Sequence, residues 1–277
     1  MSNSVAGWQG VVSVWGRWLL AVLVLSSQWA AARANDSVDG LLIASGVDAQ
    51  MSVFEKMVQG TLTQNPALEE EQRAVLQHIA MESFRSDVIY RYVRAAVAEA
   101  LQPGDRETLS LWYSSPLGQR ITTLELKGLE ADAFAAMKAA AEALAADQER
   151  MAAAARLDAL TQASGLGMAL QQRAMLANYM AEAIAANPDA PVDTTALEAQ
   201  LQQHRETMQQ LIQQQTLLSL AFTYRELPLE KIASYESFLS TSASRRFQQG
   251  VQDGLLRGVD VVLEGWEGEL REFYRGD

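Results

Sequence analysis

Cysteine is absent from this chain of 277 residues. Disulfides, thiol chemistry and thiolate-bound zinc are thereby excluded, so packing alone must hold the fold together. Histidine is nearly as scarce. His78 and His204 are the whole complement, neither has a second histidine or cysteine at ligand spacing, and both are assigned to a solvated or core-edge helix face rather than a metal site. Basic charge is also short, with 22 Lys and Arg against 34 Asp and Glu. Phosphate backbones are bound by clustered cations, so a nucleic-acid partner is not expected. No glycine-rich phosphate loop is present, and Ser114 and Ser115 have neither a neighbouring base nor a strand-to-helix elbow. Neither a cofactor nor a catalytic residue is expected, and the chain is read as a non-enzyme.

The longest apolar stretch lies at the start. Arg17 precedes the run Trp18 to Leu25, and Ala32-Arg33-Ala34 offers a small-x-small cleavage site before Asn35. This pattern predicts a signal peptide over 1–34, cleavage near Asn35 and a periplasmic or secreted product. The alternative, an uncleaved anchor over Val11 to Ala32, is interrupted by Gly16 and Arg17 and falls short of the about 20 predominantly apolar residues that a span requires. Without cysteine, a lipid anchor on that residue is not expected. Loss of Arg17 and Arg33 would take the charge from −12 to −14.

What is abundant is helical pattern, and it comes twice. Val38-Asp39-x-Leu41-x-x-Ala44-Ser45-Gly46-Val47 recurs as Leu157-Asp158-x-Leu160-x-x-Ala163-Ser164-Gly165-Leu166, an offset of 157 − 38 = 119. Asn65-Pro66 recurs as Asn187-Pro188 at 187 − 65 = 122, and Trp112 to Ile121 recurs as Phe238 to Phe247 at 238 − 112 = 126. His78 and His204 share that last offset. Landmarks in one order with a stepwise growing offset indicate a duplicated helical unit with loop insertions. The predicted fold is all-α: a first unit over 35–130, an Ala-rich connecting helix over 131–156, and a second unit over 157–277.

Within the units, Met51, Phe54, Val58 and Leu62 make one stripe at helical spacing, and Val75, Ile79, Val88, Tyr92 and Ala96 another. Gly46 and Gly165 suit helix C′ positions. Asn65-Pro66 and Asn187-Pro188 read as N-cap plus N1 proline, the second pair alternatively as part of a loop closed by a Thr195–Glu198 capping box. Glu69-Glu70-Glu71 fit the first turn after Asn65-Pro66 without any acid–base role. Alanine dominates 131–156 and predicts a continuous helix joining the units, with a homodimeric coiled coil through Met137, Leu144 and Met151 as the alternative. Gly250, Gly254 and Gly258 form a ridge for close helix packing, and Asp253, Arg257 and Asp260 within it rule out a bilayer setting.

The sharpest local motif is Leu111-Trp112-Tyr113-Ser114-Ser115-Pro116-Leu117-Gly118-Gln119-Arg120. Ser115 can cap a new helix and Pro116 fits its first position, so the segment predicts a helix that stops and restarts. The second copy keeps the cap as Thr241. Structural caps are thus assigned to Asn65, Pro66, Ser115, Pro116 and Thr241, and a candidate partner-binding surface to Trp112, Tyr113, Arg120, Phe238 and Arg246. With the start Leu41-Leu42-x-x-x-Gly46-Val47-Asp48, the motif resembles the bacterial exported family called domain of unknown function 2059. The second copy departs from it at Ser242 and Ser244, which stand where Pro116 and Gly118 do. The resemblance implies a helical, exported protein of a Gram-negative envelope and no reaction.

Three functions follow as expectations. The first is binding of another envelope protein through helical faces. The second is binding of a small apolar ligand or lipid between helices, for which Met51, Met57, Met175 and Met180 supply adaptable surface. A hydrolase-like enzyme is the third.

Overall fold

In the computed structural model, residues 37–51, 70–130 and 132–276 are described. They are helical, with no strand among them, as the stripes predict. The helices are α1 (Val38–Ala44), α2 (Glu70–Ser83), α3 (Ser86–Ala100), α4 (Asp105–Ser114), α5 (Pro116–Lys127), α6 (Ala133–Ala146), α7 (Gln148–Thr161), α8 (Ala163–Ala186), α9 (Thr195–Thr223), α10 (Leu229–Leu239) and α11 (Ser242–Arg275). A further helical stretch begins at Val47. None of these is long and apolar enough to cross a membrane. The assigned caps Asn65 and Pro66, with Met57, lie outside the described residues.

The two halves do not form separate bodies joined by a rod. One apolar core runs from Leu41, Ile89 and Leu109 in the first half to Leu220, Ile232 and Trp266 in the second. Its longest seam pairs α3 with α11. Ile89, Val93 and Val97, with Ala96, make the buried stripe of α3, one residue on from the expected Val88 and Tyr92, of which Tyr92 is exposed, and Gly250, Gly254 and Gly258 face it. A Cβ on Gly250 would stand 2.8 Å from the Val97 Cα, and one on Gly258 would stand 2.9 Å from the Ile89 Cα. On Gly254 it would strike the Val93 backbone. As the glycine numbers rise their partners' fall, so the helices run antiparallel, backbone against backbone.

The Ala-rich segment departs from expectation. It is two helices, broken at Asp147 (φ −81°, ψ 84°), and the second continues to Thr161. The Asp147 carboxylate accepts from the Arg150 N–H at 3.0 Å. Arg150 in turn donates to the carbonyls of Tyr224 (2.7 Å) and Leu227 (3.3 Å). Those tertiary bonds fix the bend against a local preference for continuous helix. Met137 and Leu144 are buried against the rest of this chain, with α6 packing on α9.

Two smaller corrections concern turns. Gly46 has the left-handed conformation expected of it (φ +63°), but Gly165 lies inside α8, and the left-handed residue at that corner is Gln162 (φ 54°). Asp158 reaches over the corner to accept from the Ser164 N–H and hydroxyl, both at 2.8 Å. Restarting helix there moves the turn three residues upstream of the glycine. Of the two readings of Asn187-Pro188 the loop holds, since the pair ends α8 instead of starting a helix, and the cap after it shifts by one residue. The next N-cap is Thr194, whose hydroxyl bonds Glu198 at 2.7 Å, while Asp193 accepts from the Thr195 N–H at 3.0 Å.

Candidate functional site

The corner predicted at Ser115 is present. Ser115 (φ −71°, ψ 151°) accepts from the Gly118 N–H at 3.0 Å, and Pro116 occupies the first turn, where its missing N–H leaves nothing unsatisfied. The chain passes so close to itself that a Cβ on Gly118 would strike the Trp112 carbonyl. Thr241 (φ −69°, ψ 152°) repeats the geometry 126 residues later, accepting from the Ser244 N–H at 3.2 Å without a proline.

The two corners face each other. Trp112 lies flat on Phe238, ring centres 4.2 Å apart and planes 4° from parallel. Tyr235 extends the stack 5.9 Å from Trp112, and Tyr113 sets its edge on Phe238 at 5.9 Å. Flanking this cluster are two ion pairs that cross between the halves. Arg120 pairs with Glu226 at 2.6 Å, both side chains near half exposed. Arg246 grips Asp105 through two bonds of 2.7 Å. Asp105 is buried, and the Arg246 guanidinium, opposed by burial, holds its carboxyl below the usual range. The aromatic members of the proposed partner surface therefore pack on one another, and its two arginines are taken up by Glu226 and Asp105 across the halves.

Behind the stack lies a group that residue spacing did not single out. Glu125, on α5, is 2% exposed. Its Oε1 accepts a short hydrogen bond from the Tyr224 hydroxyl and another at 3.2 Å from Tyr235. Burial pushes its carboxyl up to about 8, against the opposing pull of those two donors. The phenols of Tyr224 and Tyr235 are raised by burial first and by Glu125 second, as is that of Tyr113. At neutral pH this is an uncharged acid among uncharged phenols, the state a desolvated site favours. A signal existed: Leu117, Ile121, Leu124 and Gly128 trace the inward face of α5, and Glu125 lies four residues beyond Ile121 on it.

His78 and His204 are exposed on α2 and α9, and among the described residues no group of three His, Cys, Asp or Glu side chains could hold a metal ion. Of the methionines, Met51 and Met180 are buried, Met175 is half-buried, and Met57 is not described. No family model, curated protein or solved structure matches this chain.

Proposed function

We propose that this is an exported protein of the bacterial envelope that works by binding another protein rather than by catalysis. The apolar run before Ala32-Arg33-Ala34 and the resemblance carried by Leu111 to Arg120 support the compartment. Leu111 is the observation that carries the activity. It is 69% exposed, the most exposed large hydrophobic side chain among the described residues, on a helix whose neighbouring Leu109 is fully buried and whose Trp112 stacks into the corner. The corner behind it is rigid, capped and aromatic, so Leu111 is presented without needing to be ordered on binding. A formal charge of −12, which becomes −14 on loss of Arg17 and Arg33, steers toward a partner whose apolar contact is rimmed by Lys and Arg.

The test is capture from envelope fractions with tagged protein, Leu111→Asp and the exposed control Glu107→Gln, across a salt series. A partner retained by the control, lost with Leu111→Asp at unchanged melting temperature, and weakened by salt supports the reading. Equal recovery with both variants counts against it. Binding of a small apolar molecule is the second reading. It is favoured by Gln171 on α8, whose buried side-chain nitrogen has no hydrogen-bond partner and would be satisfied by an acceptor on a guest.

A further inference from the structure

The halves of this chain meet by reciprocal contacts. Trp112 and Phe238 are separated by the repeat offset of 126, and they stack on each other. A residue touches its own equivalent only where a two-fold axis passes, which is the signature of an isologous interface. The exchange extends, less extensively on one side, to the helices beside the corners. Gly250 of α11 meets Val97 of α3, and at the same offset, 250 − 126 = 124 and 97 + 126 = 223, α5 reaches the end of α9, where Glu125 takes the Tyr224 hydroxyl. Arg120 and Arg246 are themselves at the offset, and each pairs with an acid of the other half, Arg120 with Glu226 and Arg246 with Asp105, although the two acids are not equivalent positions (226 − 126 = 100, 105 + 126 = 231). Each half thus supplies the helix against which the other half's corner packs.

Every one of these contacts bridges residues before Asp147 to residues after it: α2, α3 and α4 to α11, α5 and α6 to α9. Asp147 is the one residue that interrupts helix between Ala133 and Thr161. Straightening it would join α6 and α7 into one alanine-rich helix, which the local sequence favours, and would carry the first half away from its own second half.

We propose that the interface between the halves also closes between two copies of this chain, giving a dimer in which α1 to α6 of each copy pack on α7 to α11 of the other. No new contact is required. The exchanged dimer keeps the Trp112–Phe238 stack, the two crossing ion pairs and the glycine seam, and replaces the bend at Asp147 with continuous helix. Domain exchange of this kind is a low-cost route to self-association because the interface is already complementary. The bend is what opposes it. Asp147 caps α7, and Arg150 ties that cap to the Tyr224 and Leu227 carbonyls.

The absence of cysteine makes a clean test available. Arg120→Cys and Glu226→Cys place a single thiol on each side of the interface at an exposed ion pair, and a short bismaleimide joins them. In the monomer the link is within one chain, and in the exchanged dimer it is between two. The protein is unfolded in denaturant and refolded at low and at high concentration, then cross-linked and run on a denaturing gel. The expected result is linked monomer after dilute refolding and covalent dimer after concentrated refolding. Asp147→Ala should raise the dimer fraction about fivefold, the population change that loss of one helix cap corresponds to. Arg150→Ala releases the same bend with the Asp147 cap in place and should move the fraction in the same direction. Only within-chain links for both variants at every concentration, with normal helicity by circular dichroism, would overturn the proposal. So would a dimer by size exclusion whose links remain within chains, which marks surface association instead.

Discussion

Glu125→Gln should stabilise the protein at neutral pH, against the usual direction of a core polar substitution. In the folded chain the carboxyl titrates at about 8, and its ordinary value is 4.5. A raised acid pKa means that the native state holds the proton more tightly. Stability is then greatest below the unfolded value, falls as pH rises from 4.5 toward 8, and levels off above it. At pH 7 the unfolded carboxylate is ionised and the folded one is not. The gap is 7 − 4.5 = 2.5, which at about 1.4 kcal/mol each weakens the fold by roughly 3 kcal/mol. Glutamine keeps the oxygen that accepts from Tyr224 and Tyr235 and cannot ionise. Its amide N–H replaces the acid proton and, left unpaired, costs about 1 kcal/mol, so the net gain at pH 7 is roughly 2 kcal/mol. Denaturant titrations of both proteins at several pH values between about 4.5 and 9 read this directly, as a midpoint difference at constant m-value. The difference should grow with pH and change sign near the acidic end. A difference that stays flat from pH 5 to 8 would show that Glu125 is solvated or ionised in the native protein, and would refute the buried-acid reasoning.

Other substitutions separate scaffold from surface. Ser115→Ala and Thr241→Ala should each lower stability by about 1 kcal/mol, the usual loss for a helix cap, as read by thermal melts. Gly254→Ala meets backbone rather than a yielding side chain and should destabilise by about 3 kcal/mol, whereas Gly165→Ala, in open space inside α8, should stabilise by about 0.5–1 kcal/mol in the same assay. Arg246→Ala, which strips the partner from buried Asp105, should cost more stability than Arg120→Ala, from an exposed pair, which should cost less than about 1 kcal/mol. Since the Asp105 carboxyl is held low by Arg246, that contribution is present above its ordinary value of 3.8 and is lost as pH falls through the depressed one. The Arg246 variant should accordingly converge on wild type in strong acid.

What could be read from the sequence was local chemistry that tertiary packing left alone. The corner at Ser115-Pro116 and its echo at Thr241 need only a hydroxyl, a nearby N–H and a suitable backbone, and both stand as expected. The glycine ridge was legible as a close approach because spacing of four puts the three residues on one helix face. The break at Asp147 was not, since alanine on both sides argues for continuity and the bonds that impose the bend come from Tyr224 and Leu227, far along the chain. Gly165 misled because the Asp158 side chain stabilises a turn at Gln162 that residue propensities disfavour. Glu125 escaped notice because a lone acid on an apolar stripe acquires meaning only when Tyr224 and Tyr235 arrive from other helices.

The glycine seam between α3 and α11 also governs time. Where Gly250 and Gly254 meet Val97 and Val93, backbone rests on backbone, with no side chain between them to change rotamer and absorb a tilt or a slide. The seam is either closed or lost as a whole. Amides of Ile89 to Val97 and Gly250 to Gly258 should therefore exchange with deuterium only through near-global opening, while those in the first turns of α9, mostly exposed, exchange by local fraying. Because that seam must open before the halves can part, whichever assembly forms during folding is long-lived. The concentration at which the chain first folds, not the concentration at which it is later kept, decides how its copies are joined.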